Sequence, residues 1–132
     1  MLHVVLDTNL LVSGLLSPHG NSANIINALR AGQLKSSYSP EIIQEYIDVL
    51  TRPKLNIPRG MAVALIEAIK KSGSLITPIR STCPLPDETD RMFYDVAKTA
   101  HAYLVTGNIK HFPDGPFILL PADFIKQVLE KE

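Results

Sequence analysis

A chain of 132 residues, 45% hydrophobic and 20% charged, is long enough to bury a core of its own, and residues 1–132 are expected to form one globular domain. Thirteen basic residues balance thirteen acidic ones, so the chain lacks the electrostatic footprint of a strong non-specific nucleic-acid binder, and any such contact must come from a local patch or a bound cation. Cys83 is the single cysteine, which excludes an internal disulfide; Asp7 breaks the first apolar run and no run reaches the ~18 residues of a membrane span, so neither a signal peptide nor a membrane anchor is expected and the expected location is cytoplasmic.

The first apolar run, Val4, Val5 and Leu6, reads as a buried strand that ends at Asp7, with Thr8 and Asn9 turning the chain into a short helix. After a loop at 17–22, with Asn21 or Ser22 as cap, a helix is expected from about Ala23 to Ala31, stopped by Gly32. Leu34 to Tyr38 is a weak strand candidate because of its serines. Ser39 should cap a helix that starts at Pro40 and ends before Pro53. An irregular stretch carrying Arg52, Lys54 and Arg59 precedes a helix from Met61 to Ser72. Leu75 to Thr77 reads as a short strand, 88–102 as a helix, 103–106 as a strand, 117–120 as a last strand and 121–130 as a final helix. Short apolar strands alternating with helices predict an α/β fold built on a parallel sheet of about five strands, covered on both faces.

Several acids fall where this fold would gather them. Asp7 ends the first strand, which in open α/β sheets is where ligands bind. Asp87, Glu88 and Asp90 stand at the start of the helix before the 103–106 strand. At 100° per residue, Glu45 lies about 40° from Val49, at the edge of its helix's apolar arc, nearer the core than Glu41 or Asp48. Carboxylates crowded into one cleft repel unless a cation compensates, and hard Mg²⁺ or Mn²⁺ takes such oxygen ligands together with waters and substrate phosphate. Each acid also has a plainer reading: Asp7, Asp87 or Asp90 as a helix cap, Glu45 as a solvated helix acid. His3, His19, His101 and His111 lack zinc-ligand spacing.

These residues resemble a family. Leu6-Asp7-Thr8-Asn9-Leu10-Leu11-Val12-Ser13 is similar to the opening of PIN-domain ribonucleases. Pro86-Asp87-Glu88-Thr89-Asp90-Arg91-Met92-Phe93 is similar to their third-acid segment, and Leu104-Val105-Thr106-Gly107-Asn108 with Lys110-His111-Phe112-Pro113 to their fourth. Leu50-Thr51-Arg52-Pro53-Lys54 is similar to a PIN subfamily of toxin components. Each motif is short; four in order, over residues 1 to about 125, make a strong joint signal. The resemblance implies a three-layer α/β/α sandwich with a central parallel sheet and Rossmann-like topology. It implies metal-dependent endoribonuclease chemistry with Mg²⁺ or Mn²⁺, an RNA substrate, a cognate antitoxin protein and a homodimer. It matches Asp7, Glu45 and Asp90 to the first, second and third acids, with Asp87 as an alternative third, and Thr8, Asn9 and Thr106 to supporting polar residues. Lys110, His111, Arg52 and Lys54 are candidate RNA contacts.

One position departs from the family pattern. Many PIN domains carry Asp where Asn108 stands, so the site loses a formal negative charge and its metal should be held more weakly. A domain that binds RNA or protein without cleaving is therefore the alternative. A phosphatase of the haloacid dehalogenase type would need a second Asp two residues after Asp7, and Asn9 is there instead.

Overall fold

In the computed structural model, which describes residues 2–131, the first apolar run forms β1 (Leu2–Leu6). Val4, Val5 and Leu6 are fully buried, as a strand covered on both faces requires. Parallel to it on either side run β2 (Leu34–Tyr38) and β4 (Tyr103–Val105), with Val4 in register with Ser36 and with Tyr103. β3 (Ser74–Leu75) extends the sheet from β2, and β5 (Ile118–Leu119) extends it from β4. The result is a five-stranded parallel sheet of order β3-β2-β1-β4-β5. Among the described residues six α-helices flank it: α1 (Thr8–Leu16), α2 (Asn21–Arg30), α3 (Pro40–Leu50), α4 (Arg59–Ser72), α5 (Arg91–Ala100) and α6 (Pro121–Gln127). This is the α/β architecture that the alternation of elements predicts.

The strand order reverses at β1. The chain lays β2 and β3 outward on one side, then returns to place β4 and β5 on the other. The carboxyl ends of β1 and β4 thus lie side by side where two crossovers diverge, which leaves a crevice at the sheet's edge.

β2 is a strand despite its serines. Ser36 and Ser37 are buried, and neither hydroxyl has a hydrogen-bond partner. α4 packs on this strand, and Gly73 crosses its backbone closely. A Cβ on Gly73 would collide with the carbonyl oxygens of Ser36 and Ile69. Packing therefore outweighs the weak local strand propensity.

Several boundaries move for local reasons. α2 begins at Asn21, with Gly20 in the cap position, so neither Asn21 nor Ser22 caps it. Ser39 does cap α3, accepting from Ile42 N–H, with Pro40 at its first position. α4 begins at Arg59, two residues earlier than Met61. The strand expected over 75–77 becomes Ser74–Leu75, although Ile76 N–H still donates to Tyr38 C=O at 2.7 Å. The helix expected over 88–102 splits. Glu88–Asp90 make a 3₁₀ turn and α5 starts only at Arg91, because the Asp87 carboxylate accepts from Thr89 N–H and fixes a tight turn there. The final helix is shorter than expected, with a separate 3₁₀ turn at Leu129–Lys131.

Candidate active site

The site is built outward from Asp7. This residue occupies the N-cap position of α1, yet its side chain caps nothing. Oδ2 instead accepts a 2.7 Å hydrogen bond from Thr106 Oγ1 at the end of β4, and Thr106 Oγ1 in turn accepts from Asn108 N–H at 3.0 Å. Both Asp7 and Thr106 are buried. A fold that wanted only a cap would have left Asp7 turned toward the α1 amides. The main chain beneath it is pinned as well: Asp7 N–H donates to Val105 C=O at 3.1 Å, and Tyr46 Oη donates to Leu6 C=O at 2.6 Å. Tyr46 is wholly buried, and that burial, with the Asp7 charge added, pushes its phenol well above the usual range. It stays a neutral donor at all ordinary pH.

Asp7, Thr8, Asn9, Glu45, Asp87, Asp90, Asn108, Arg52 and His111 all line one cleft of about 230 Å³. Its apolar lining is Val49 of α3 and Phe93 of α5. Glu45 and Val49 share the cleft because they sit one helical turn apart. Asp90 precedes α5 without capping it; its Oδ2 lies 3.1 Å from His111 Nδ1. Burial, and next the Asp7 charge, raise the Asp90 carboxyl above the usual range, against the lowering effect of the His111 hydrogen bond. Asp87 behaves differently. The Thr89 backbone and side-chain hydrogen bonds hold its carboxyl below the usual range, and its job in the turn is local. Lys54 and Lys110 are exposed and do not line the cleft.

Sequence reasoning missed what holds Asp90 in place. Arg91, the next residue, is buried and spends its guanidinium inside the protein. Nε and Nη2 form a fork on Glu88 at 2.6 and 2.7 Å, Nη1 donates to Ser81 O and Oγ, and Nη2 donates to Cys83 O. Asp95, also buried, accepts from Ser81 N–H at 3.2 Å. The 81–88 loop is thereby latched to the start of α5. The i, i+3 spacing of Glu88 and Arg91 was the only local signal of this clamp.

The donor set is one that a hard cation accepts. Every candidate ligand is an oxygen, and the two carboxylates of Asp7 and Asp90 already oppose each other's charge. Thr8 adds an independent observation. It is buried at the cleft, and its Oγ1 has no hydrogen-bond partner, a state that ordinarily costs about 1–3 kcal/mol. Among the described residues, no three His, Cys, Asp or Glu side chains stand close enough together to hold a metal ion between them. The fit is to Mg²⁺ or Mn²⁺ held by one or two carboxylates, with water completing the shell, which is the usual mode for Mg²⁺.

Among the described residues no helix is long and apolar enough to cross a membrane. The chain is 28% identical over 108 residues to an uncharacterized protein of Methanocaldococcus jannaschii, a match covering 80% of this chain and 70% of that protein. The family model described as PIN domain matches residues 3–110. PIN domains are generally metal-dependent nucleases that act on RNA with Mg²⁺ or Mn²⁺. The match starts inside β1, ends two residues past Asn108 and so takes in every residue that lines the cleft except His111; this chain belongs to the PIN-domain family.

Proposed function

We propose that residues 1–132 form a single PIN domain that hydrolyses RNA phosphodiester bonds as a metal-dependent endoribonuclease. The observation that carries this reading is the cleft at the β1/β4 crevice, into which β1, α3 and the start of α5 each bring a carboxylate. Asp7 and Asp90 would hold Mg²⁺ or Mn²⁺ together with water, Glu45 would reach the ion through a water, and Asp87 also lines the cleft. When bound, the ion supplies the positive charge that polarises a phosphate and acidifies a water. The chain's own residues supply the geometry. Thr106 fixes the Asp7 oxygen through the 2.7 Å hydrogen bond, His111 holds Asp90, and Thr8 offers a hydroxyl with no other partner. Asn108 brings a neutral amide to the position where many PIN domains have a carboxylate, so it can serve a substrate oxygen or a water but adds no charge.

The finer reading is a cytoplasmic toxin of a toxin–antitoxin pair, held by an antitoxin protein and assembled as a homodimer. Its support is the likeness of Leu50-Thr51-Arg52-Pro53-Lys54 to a subfamily of toxin components. Growth arrest on expression, relieved by co-expressing the neighbouring reading frame, would support it.

The test of the enzyme is cleavage of labelled single-stranded and hairpin RNAs by the purified chain with Mn²⁺, with EDTA, and with Asp7→Asn. Cleavage that needs Mn²⁺ and disappears in Asp7→Asn is expected. Cleavage indifferent to EDTA, or surviving Asp7→Asn, would sink it. Asn108 favours one second reading, a domain that binds RNA but has lost turnover; binding without cleavage, unchanged by Asp7→Asn, would establish that instead.

A further inference from the structure

Arg52 differs from the other arginine near the site. Arg91 is saturated by five hydrogen bonds, whereas Arg52 has neither an ion pair nor a side-chain hydrogen bond among the described residues. It is nevertheless in the cleft with the carboxylates. Glu45 and Val49 share one face of α3, and Arg52 comes two residues after that helix ends, in extended backbone. Arg52 N–H donates to Val49 C=O at 3.1 Å, which ties the residue to the end of α3. Beyond Arg52 the chain is locked. Pro53 opens a one-turn 3₁₀ helix, Leu55 N–H donates to Arg52 C=O at 3.1 Å, and Asn56 closes the turn in the left-handed region at φ 54°. Arg52 is exposed on the wall of the cleft, and a guanidinium that no carboxylate engages keeps its whole donor fork free for an incoming ligand. The natural partner for that fork is an anion with paired oxygens. In a chain with no net charge, this local cation is what a polyanion would meet.

We propose that Arg52 is a substrate-binding residue that grips a backbone phosphate of the RNA strand lying in the cleft. The proposal rests on the ribonuclease reading and names the group that seats the strand beside the acids.

The experiment measures binding of a fluorescein-labelled single-stranded oligoribonucleotide to the full chain by anisotropy, across a salt series with Ca²⁺ present. Arg52→Ala is expected to weaken binding about tenfold, the scale of a lost hydrogen bond to a charged group. It should also reduce the slope of log K against log salt by about 0.7, the value for one phosphate contact on a single strand. Arg52→Lys should restore the slope without restoring full affinity, since the charge returns and the fork does not. Lys71→Ala, on α4 away from the cleft, should change neither. Unchanged affinity and slope in Arg52→Ala, weaker binding at unchanged slope with a lowered Tm, or no binding by the wild-type chain would each overturn the proposal. Cleavage of the same strand in Mn²⁺ is scored separately. Cleavage with an unaltered slope defeats only the Arg52 contact; an altered slope without cleavage by the wild type defeats only the ribonuclease reading.

Discussion

Asp90 shows how a side chain can serve a site at the expense of the fold. Burial and the neighbouring Asp7 raise its carboxyl above the usual range, so its charged form is disfavoured in the folded protein relative to the unfolded chain. The sign follows from that direction. The protonated acid suits the fold at low pH, and this advantage is lost as pH rises through the raised folded value. At neutral pH without metal, Asp90→Asn should therefore raise Tm. The gain should shrink as pH falls toward the ordinary carboxylate range, where wild-type Asp90 carries a proton too. Thermal melts in EDTA across pH check this, and an equal Tm for both proteins at neutral pH would contradict it. Asp7 was ambiguous in sequence because an acid after a strand can cap or ligate equally well. The Thr106 hydrogen bond decides against capping, and no local pattern could have shown a partner 99 residues away.

At the scale of elements, the lesson comes from β2 and the start of α5. Apolar, β-branched β1 and the Ser39-Pro40 entry to α3 were legible because local chemistry and tertiary role agree there. Glu45 was legible too, since helical geometry alone put it beside Val49. β2 was faint, because its serines lack strand propensity and what makes it a strand is its pairing with β1 and β3. The 88–90 turn was hidden by its capping, and the Arg91 latch by its dependence on backbone carbonyls of Ser81 and Cys83. The orphaned Ser36 hydroxyl permits a prediction. Ser36→Ala removes a buried polar group without adding volume, so it should stabilise the protein by about 1 kcal/mol. Urea unfolding would read this as a higher midpoint at unchanged slope; a lower midpoint would mean that the hydroxyl has a partner in solution.

For the molecule as a whole, a neutral chain with four of its thirteen acids lining one cleft should respond to divalent ions more than to general ionic strength. A cation that binds only the folded state adds about 2.7 kcal/mol at a hundredfold excess over its Kd. Mn²⁺ titration should thus raise Tm by several degrees, EDTA should reverse the rise, and Asp7→Asn should remove it; a Tm insensitive to Mn²⁺ in the wild type would count against the cation site. Asp7 follows β1 and Thr106 follows β4, so the partner that orients Asp7 stands 99 residues further along the chain. During synthesis, every nascent chain that has not yet released residue 106 carries its first acid without the group that orients it. Fragments that stop before β4 thus lack the contact that orients the first acid of the site.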